Sequence, residues 1–293
     1  MKKDAQAAED AGNMKLRKLH PEEHIRTRNL WEEIFTEDTP AFLDYYYSVR
    51  TKDNEIYVIE DGDEIVSMLH LNPYEMRVGN RIYHTHYIVA VATDERYRKR
   101  GLMRQILNHA MKVMTDRGEP FTFLMPASEA IYKPFGFEFV YEQQQGNYKG
   151  RESRDRTLEV VFATREDCKD IADFANQMLQ EYNVVTWRTA TYYEMLLSEV
   201  TSEDGGILLA KRDKRIDGVF CYAKGVQIII REPLFRCEED LRHVIYELTG
   251  NETEEVQCIG YGKETKPMIM AKVLSPEFYE DLKKEKVFLN EVV

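Results

Sequence analysis

Four cationic residues and a glycine lie together in one short segment, and their types suit them to binding phosphate. The cations are Arg96, Arg98, Lys99 and Arg100, and Gly101 follows them directly. Cationic side chains make strong charge-assisted hydrogen bonds to phosphate oxygens. A glycine lets a ligand approach the backbone closely because it carries no Cβ atom. The segment therefore predicts a site for a phosphate-rich ligand.

The elements on either side of this segment would place it at the start of a helix. The apolar run 87–92 before it predicts a buried strand. Apolar residues after it recur at helical spacing: Leu102, Met103, Ile106, Leu107, Ala110, Val113 and Met114. The first N–H groups of a helix have no partner within the helix and favour an anion. We therefore expect the loop amides and the first helical turn to complete the anion site.

The run Arg98-Lys99-Arg100-Gly101-Leu102-Met103 resembles motif A of the GNAT superfamily of acyl-CoA N-acyltransferases. That motif reads (Arg/Gln)-x-x-Gly-x-(Gly/Ala), so Met103 departs from it and leaves less room beside the pyrophosphate. The resemblance implies acetyl-CoA as co-substrate. It assigns the pyrophosphate to Arg96, Arg98, Lys99, Arg100, Gly101, Leu102 and Met103, and the pantetheine arm and thioester carbonyl to the backbone of Val89, Ala90 and Val91.

A second segment, 128–138, follows the apolar strand 121–125 and contains Ile-Tyr-Lys-Pro-Phe-Gly-Phe. With its preceding Ser-Glu pair it is similar to the Eis type of GNAT protein, named for enhanced intracellular survival. The resemblance makes Tyr132 the general acid that protonates the CoA thiolate, for which its phenol must reach the sulfur. The alternative is that Tyr132, one of 18 tyrosines, only packs in the core.

The Eis resemblance also concerns the end of the chain. In Eis-type proteins the C-terminal carboxylate acts at the active site, which here implies Val293. Such a carboxylate would deprotonate the acceptor ammonium. The alternative is that the apolar C-terminal segment completes a sheet. Eis-type proteins also carry a third domain that resembles sterol carrier protein, and 293 residues are too few for all of it.

The order helix, helix, strand, charged turn, strand occurs twice, about 150 residues apart, which indicates a duplicated half-fold. The polar run 147–156 predicts the linker. We therefore expect an α/β (mixed α+β) protein of two tandem GNAT-type domains, each a mixed, mostly antiparallel sheet flanked by helices. The predicted divisions are a flexible leader (1–13), a catalytic domain (14–150) and a degenerate second domain with a short C-terminal extension (151–293).

The composition of the chain limits the kinds of binding partner and the cellular location that we expect. The net charge of −12 argues against general binding of nucleic acid or of an anionic membrane surface. No apolar run approaches the ~18 residues of a membrane span, and the polar N-terminus lacks the apolar core of a signal peptide. Four cysteines without CxxC spacing predict buried free thiols rather than a metal or redox site. We expect a cytoplasmic protein, with a homo-oligomer as one possibility.

The sequence thus predicts an N-acetyltransferase that moves an acetyl group from acetyl-CoA to a primary amine by direct attack. Aminoglycosides, polyamines, peptides and protein lysines all remain open as acceptors, and a longer acyl donor is a further alternative. A different class also remains: a non-catalytic acyl-CoA sensor or assembly module. His84 and His86 share one strand face, where they could line a pocket or relay a proton. Since no third ligand is evident, no metal is expected.

Overall fold

The computed structural model describes residues 14–224, 227–278 and 286–291. The strands of the first half are β1 (Met14–Lys18), β2 (Glu55–Asp61), β3 (Glu64–Val78), β4 (Arg81–Thr93), β5 (Phe121–Leu124) and β6 (Glu138–Lys149). Its helices are α1 (Arg28–Ile34), α2 (Pro40–Ser48), α3 (Leu102–Asp116) and the single turn α4 (Glu129–Tyr132). The apolar residues Leu30, Ile34 and Phe35 predict one helix over 20–35, but its first part, Pro21–Thr27, is a 3-10 helix.

The second half repeats this order of elements. Its strands are β7 (Glu159–Phe162), β8 (Val184–Thr186), β9 (Gly206–Arg212), β10 (Arg215–Lys224), β11 (Ile228–Phe235), β12 (Glu255–Ile259), β13 (Glu264–Val273) and β14 (Val287–Phe288). Its helices are α5 (Cys168–Met178), α6 (Ala190–Ser202) and α7 (Glu238–Thr249). The sequence also predicts a last helix near 276–284. Most of that segment lies outside the described residues, and its start, Pro276–Phe278, is a 3-10 turn.

The fourteen strands of the described part form one mixed, mostly antiparallel sheet. Its main path runs β1-β2-β3-β4-β5-β13-β6-β12-β11-β10-β9-β7, and β8 joins it at β3. The fold class is confirmed, but the sheets of the two halves are continuous rather than separate. The predicted linker also starts too early, since residues 147–149 belong to β6 and pair with β12. A polar strand in the middle of a sheet does not show the apolar alternation that a sequence pattern reveals.

The two halves exchange their last long strands. β13 pairs with β5 of the first half, for example Met270 with Leu124. β6 in turn pairs with β12 of the second half, for example Tyr148 with Val256. The exchanged strands also pair with each other. The sheet therefore has the same strand order from either end. Separating the halves would break four sets of backbone hydrogen bonds: β5–β13, β13–β6, β6–β12 and β3–β8.

Helix α3 is buried on the face that its sequence pattern predicted. Leu102, Ile106, Leu107, Ala110 and Met114 are all buried and belong to the largest hydrophobic cluster. That cluster also contains side chains of the second half, so the halves share a core. Each fully buried aliphatic side chain contributes roughly 1.5–3 kcal/mol, and this burial fixes the start of α3 against the sheet. No helix in the described part is long and apolar enough to cross a membrane.

Candidate active site

An opening between β4 and β5 provides the backbone surface of the site. The two strands are parallel neighbours, but they pair only at Tyr87 and Phe123. Beyond that pair a bulge shifts the register of β4 against β3, and Ala90 in the bulge has φ +52°. A bulge of this kind bends its strand and frees backbone groups from the ladder. The predicted contacts Val89, Ala90 and Val91 therefore lie on the segment that turns away from β5.

Gly101 caps the N-terminus of α3 with φ +81°, a left-handed conformation that glycine adopts without strain. A Cβ atom built on Gly101 would meet no atom within 4 Å. The space beside this backbone is thus open, as a phosphate cradle requires. Leu102 is buried in the core, while Met103 is only partly buried. The glycine and the first-turn amides fit an anionic group.

Two of the four predicted cations are engaged by carboxylates of the protein itself. The Arg96 guanidinium donates to Asp94 at 3.1 Å and also to Glu64, and these bonds raise its pKa. Arg98 donates to Glu95 at 2.8 Å. The Arg96 and Arg98 side chains are 63% and 48% exposed, so solvent screens these ion pairs. They leave Arg96 and Arg98 less available to a ligand than the sequence suggested.

The other two cations make no ion pair with a described residue. Lys99 has φ +63°, and the Arg100 guanidinium lies over the Tyr97 ring, 4.8 Å from its centroid. Arg100 also donates to the Arg96 carbonyl oxygen at 3.2 Å. Lys99 and Arg100 are therefore the members of the loop whose charge is free for phosphate.

Tyr132 lies at the end of α4, buried against Phe137 with 6.0 Å between ring centroids. Its hydroxyl has no hydrogen-bond partner in the described part of the chain. Burial raises the pKa of Tyr132 to about 12, so the phenol keeps its proton at neutral pH. The side chain can therefore act as a proton donor, which suits the predicted role of general acid.

Two further tyrosines lie on β4 and β3. The Tyr87 hydroxyl accepts a hydrogen bond from the Met125 amide at 3.2 Å. Burial is the largest cause that raises the Tyr87 pKa, and the nearby Tyr74, Glu291 and Tyr132 groups raise it further. The rings of Tyr74 and Tyr87 are 6.1 Å apart. Sequence reasoning missed both residues. Their apolar strands resembled ordinary core strands, so no local signal distinguished them.

Tyr74 borders a cavity of about 460 Å³ between the two halves. Its walls come from α2, β3, β8, α6, β11 and the C-terminal segment 286–291. Aromatic side chains and carboxylates predominate in the lining: Tyr45, Tyr74, Trp187, Tyr192, Asp53, Glu75, Glu199, Glu232 and Glu291. Arg50, Arg231 and His84 line it as well. Carboxylates outnumber cations, so the cavity favours a cationic group.

Glu232 and Glu291 share one buried arginine. Arg188, fully buried, donates to Glu232 at 2.8 Å and to Glu291 Oε1 at 2.7 Å. Burial is the largest cause that raises the pKa of Glu232 to about 7, and Arg188 opposes it. Glu291 Oε2 is buried without a partner in the described part. An unpaired buried acceptor is costly, so this oxygen is suited to a donor group of a ligand.

The C-terminal segment fills the opening of the second half that corresponds to the one between β4 and β5. Asn290 Nδ2 would lie 2.6 Å from a Cβ atom built on Gly260 at the end of β12. Gln143 donates to Asn290 Oδ1 at 2.8 Å, and Val287 and Phe288 pair with β8. The segment therefore occupies the place where a second donor would have to lie. Val293, the predicted catalytic carboxylate, lies outside the described residues.

Glu199 is a third buried carboxylate of the cavity. Arg231 donates to it at 3.0 Å. Burial is the largest cause that raises the pKa of Glu199 to about 7; Arg231 opposes this effect, and the charge of Glu203 adds to it. A carboxylate with such a pKa exchanges a proton near neutral pH, which is the property of a general base.

The two histidines of the H-x-H pattern have different surroundings. His84 lines the cavity, whereas His86 Nδ1 lies 2.9 Å from Glu119. Cys168, Cys221 and Cys258 are buried free thiols as expected, but Cys237 is exposed, which corrects that prediction. No group of three metal-ligating side chains is close enough to hold a metal ion in the part of the chain described here.

Comparison with known proteins agrees with this arrangement. The family model of the acetyltransferase (GNAT) domain matches residues 15–140. A probable N-acyltransferase of unknown function from Enterococcus faecalis V583 superimposes with a TM-score of 0.72 at 16% identity, covering 89% of this chain and 73% of that one. No curated protein matches the sequence.

Two further structures share the fold over most of the chain. Eis1 from Mycobacterium abscessus gives a TM-score of 0.61 at 10% identity, covering 89% of this chain and 73% of that one. A tandem GNAT protein from the clavulanic acid biosynthesis pathway gives 0.57 at 10% identity, covering 90% and 99%. Residues 15–140 therefore match the acetyltransferase (GNAT) domain family. The chain as a whole has the fold of tandem GNAT and Eis-type proteins.

Proposed function

We propose that the protein transfers an acetyl group from acetyl-CoA to a primary amine held in the cavity between its halves. The observation that carries this proposal is the contact between Tyr87 of β4 and Tyr74, whose ring centroids are 6.1 Å apart. Tyr74 lines the cavity rich in carboxylates, so this contact connects β4 with that cavity. The donor phosphates would lie on Gly101 and the first turn of α3, with Lys99 and Arg100 beside them.

The carboxylates of the cavity would bind and deprotonate the acceptor. An ammonium group would donate to Glu291 Oε2, whose other oxygen is held by Arg188. Glu199 and Glu232, each with a pKa near 7, can accept the proton that the amine must lose. Their position in a cavity shared with Glu291 supports an acceptor that enters as a cation.

The chemistry is a direct displacement. The ammonium group first loses one proton to a cavity carboxylate, which releases it to solvent. The amine lone pair attacks the thioester carbonyl carbon, and the carbonyl oxygen takes the negative charge beside the free backbone of β4. Collapse of this intermediate breaks the C–S bond. Tyr132 donates its proton to the departing thiolate, and the second proton, lost by the nitrogen after the attack, returns to the Tyr132 phenolate. The products are an N-acetyl amine and CoA.

The proposal is tested by measuring CoA thiol release from acetyl-CoA with a broad panel of primary amines, and by mass spectrometry of the acetylated product. We expect release that depends on the amine. Tight binding of acetyl-CoA without release for any amine would contradict catalysis and favour a sensor or assembly role. Preference for a longer acyl-CoA would change the donor but not the reaction class.

A further inference from the structure

Three buried or half-buried arginines lie at the cavity, and one of them lacks a buried carboxylate partner. Arg188 is paired with Glu232 and Glu291, and Arg231 is paired with Glu199 and Glu203. The third, Arg50, has a side chain that is 6% exposed. Its single ion pair with a described residue is to Asp53 at 3.3 Å, and the Asp53 side chain is 57% exposed.

This arrangement leaves a buried positive charge in the cavity wall whose one ion-paired carboxylate is mostly exposed to solvent. A buried charge without a well-placed partner is costly. The other side-chain hydrogen bonds of Arg50 go to neutral groups, the Asn54 amide oxygen at 3.4 Å and the Tyr74 hydroxyl. Glu199 also lines the cavity and is close enough for the Arg50 charge to act on it, but its hydrogen bond is to Arg231 and it makes no ion pair with Arg50. An external anion would complete the partners of Arg50.

Arg50 and Glu291 act on the same part of the cavity. The Arg50 guanidinium lies over the Tyr74 ring, 5.3 Å from its centroid. Burial is the largest cause that raises the pKa of the Tyr74 phenol to about 12, while Arg50 lowers this pKa and Glu291 raises it. The charges of Arg50 and Glu291 therefore both act on the Tyr74 phenol. Glu291 and Arg50 thus present opposite charges to the same small cavity.

We propose that the acceptor is a zwitterion, a primary amine that also carries an oxyanion. Its ammonium group would donate to Glu291 Oε2, and its carboxylate or phosphate would accept from the Arg50 guanidinium, whose planar fork fits both anions. The cavity of about 460 Å³ is within the range of small-molecule sites. This inference rests on the proposed amine acetylation.

The wild-type enzyme provides the first test, in matched pairs of acceptors that differ by one oxyanion. Glycine, β-alanine and γ-aminobutyrate are compared with methylamine, ethylamine and propylamine, and O-phosphoethanolamine is compared with ethanolamine. We expect kcat/KM to be at least ~10-fold higher for the oxyanion-bearing member of one series, as for one charge-assisted contact. The series that shows the preference distinguishes carboxylate from phosphate.

Two results of this test contradict the inference. If the amines that lack the oxyanion react as well as the matched amines that carry it, or better, the acceptor is not a zwitterion. The proposed amine acetylation would still stand. If no amine of any kind releases CoA, the proposed function itself fails and the inference fails with it.

Arg50→Gln provides the second test, with Arg236→Gln as the control because Arg236 is 47% exposed and does not line the cavity. We expect Arg50→Gln to raise KM for the preferred acceptor ~10-fold, with little change for the amine that lacks the oxyanion. An equal loss for both amines would indicate a structural role and overturn the inference. Arg50→Lys, which keeps the charge, should retain part of the preference even if the Gln variant unfolds.

Discussion

Ala90 in β4 and Glu232 in β11 occupy equivalent positions in the two halves. Each lies in a bulge of its strand, with φ +52° and +48°. A positive φ in a residue other than glycine marks backbone strain, which often accompanies a functional site. In the first half the bulge faces an opening beside β5. In the second half it presents a carboxylate to the cavity, and Asn290 fills the corresponding opening.

Gly101→Ala should weaken acetyl-CoA binding by at least ~10-fold, because its Cβ enters the space that the pyrophosphate would occupy. Gly118→Ala is a matched control at the other end of α3, since Gly118 also has a positive φ and open space at its Cβ position. Both variants should lose ~1–2 kcal/mol of stability through the left-handed backbone. Calorimetry should find one site per chain in the wild type. Two sites, or equal affinity in both variants, would contradict this.

Arg100→Gln and Lys99→Gln should each weaken acetyl-CoA binding by ~1–3 kcal/mol, the range for hydrogen bonds to charged groups. Arg96→Gln and Arg98→Gln should cost less, because these side chains already bind Asp94 and Glu95. Binding of CoA and of CoA without its 3′-phosphate, measured in parallel, identifies the phosphate involved. A larger loss of acetyl-CoA affinity in Arg96→Gln than in Arg100→Gln would show that Arg96, rather than Arg100, binds the phosphate.

Tyr132→Phe should lower kcat ~10²-fold or more, the usual contribution of a general acid, with little change in affinity for acetyl-CoA. The ring and its contact with Phe137 remain, so stability should change little. Tyr57→Phe is the control, because Tyr57 is buried in the same core and its hydroxyl donates a hydrogen bond to Glu55. Near-normal kcat in a folded Tyr132→Phe variant would leave Tyr132 as a packing residue.

Glu291→Gln should raise KM for the amine at least ~10-fold and leave acetyl-CoA affinity unchanged. The variant keeps an acceptor for Arg188 but loses the charge that the ammonium needs. Glu181→Gln is the control, since it removes an exposed ion pair to Lys286 in the same C-terminal segment. An unchanged KM for the amine would exclude Glu291 from acceptor binding.

Glu199 should make the wild type lose stability as the pH rises through the window from about 4.5 to about 7. The pKa of Glu199 is raised to about 7 in the folded protein, against an unfolded value near 4.3. In this window the folded state retains a proton that the unfolded chain has released, so raising the pH favours unfolding. The melting temperature of the Glu199→Gln variant should therefore rise relative to that of the wild type as the pH increases. Glu238→Gln, at an exposed position, is the control, and its melting temperature should differ from that of the wild type by the same amount at every pH. The same behaviour in Glu199→Gln would contradict the prediction.

Local pattern was enough to predict most elements and the donor side of the site. The strand 87–92, the loop, Gly101 and α3 are contiguous, and their spacing depends only on how a strand, a turn and a helix follow one another. The pair Thr39-Pro40 likewise predicts the start of a helix, and α2 does begin at Pro40, with the Thr39 side chain accepting from the Phe42 amide as N-cap. A domain of the GNAT acetyltransferase family was thus identifiable from a few dozen neighbouring residues.

The acceptor side depends on tertiary structure. Arg50, Arg188, Glu199, Glu232 and Glu291 come from distant segments, and no motif joins them. They meet because β6 and β13 exchange between the halves and because residues 286–291 return to the cavity. Burial then sets their chemistry: the same glutamate that would be a plain surface carboxylate in a helix becomes a group that titrates near neutral pH. Sequence alone determines which charges exist, but only the folded chain decides which of them lose water and which remain without a partner.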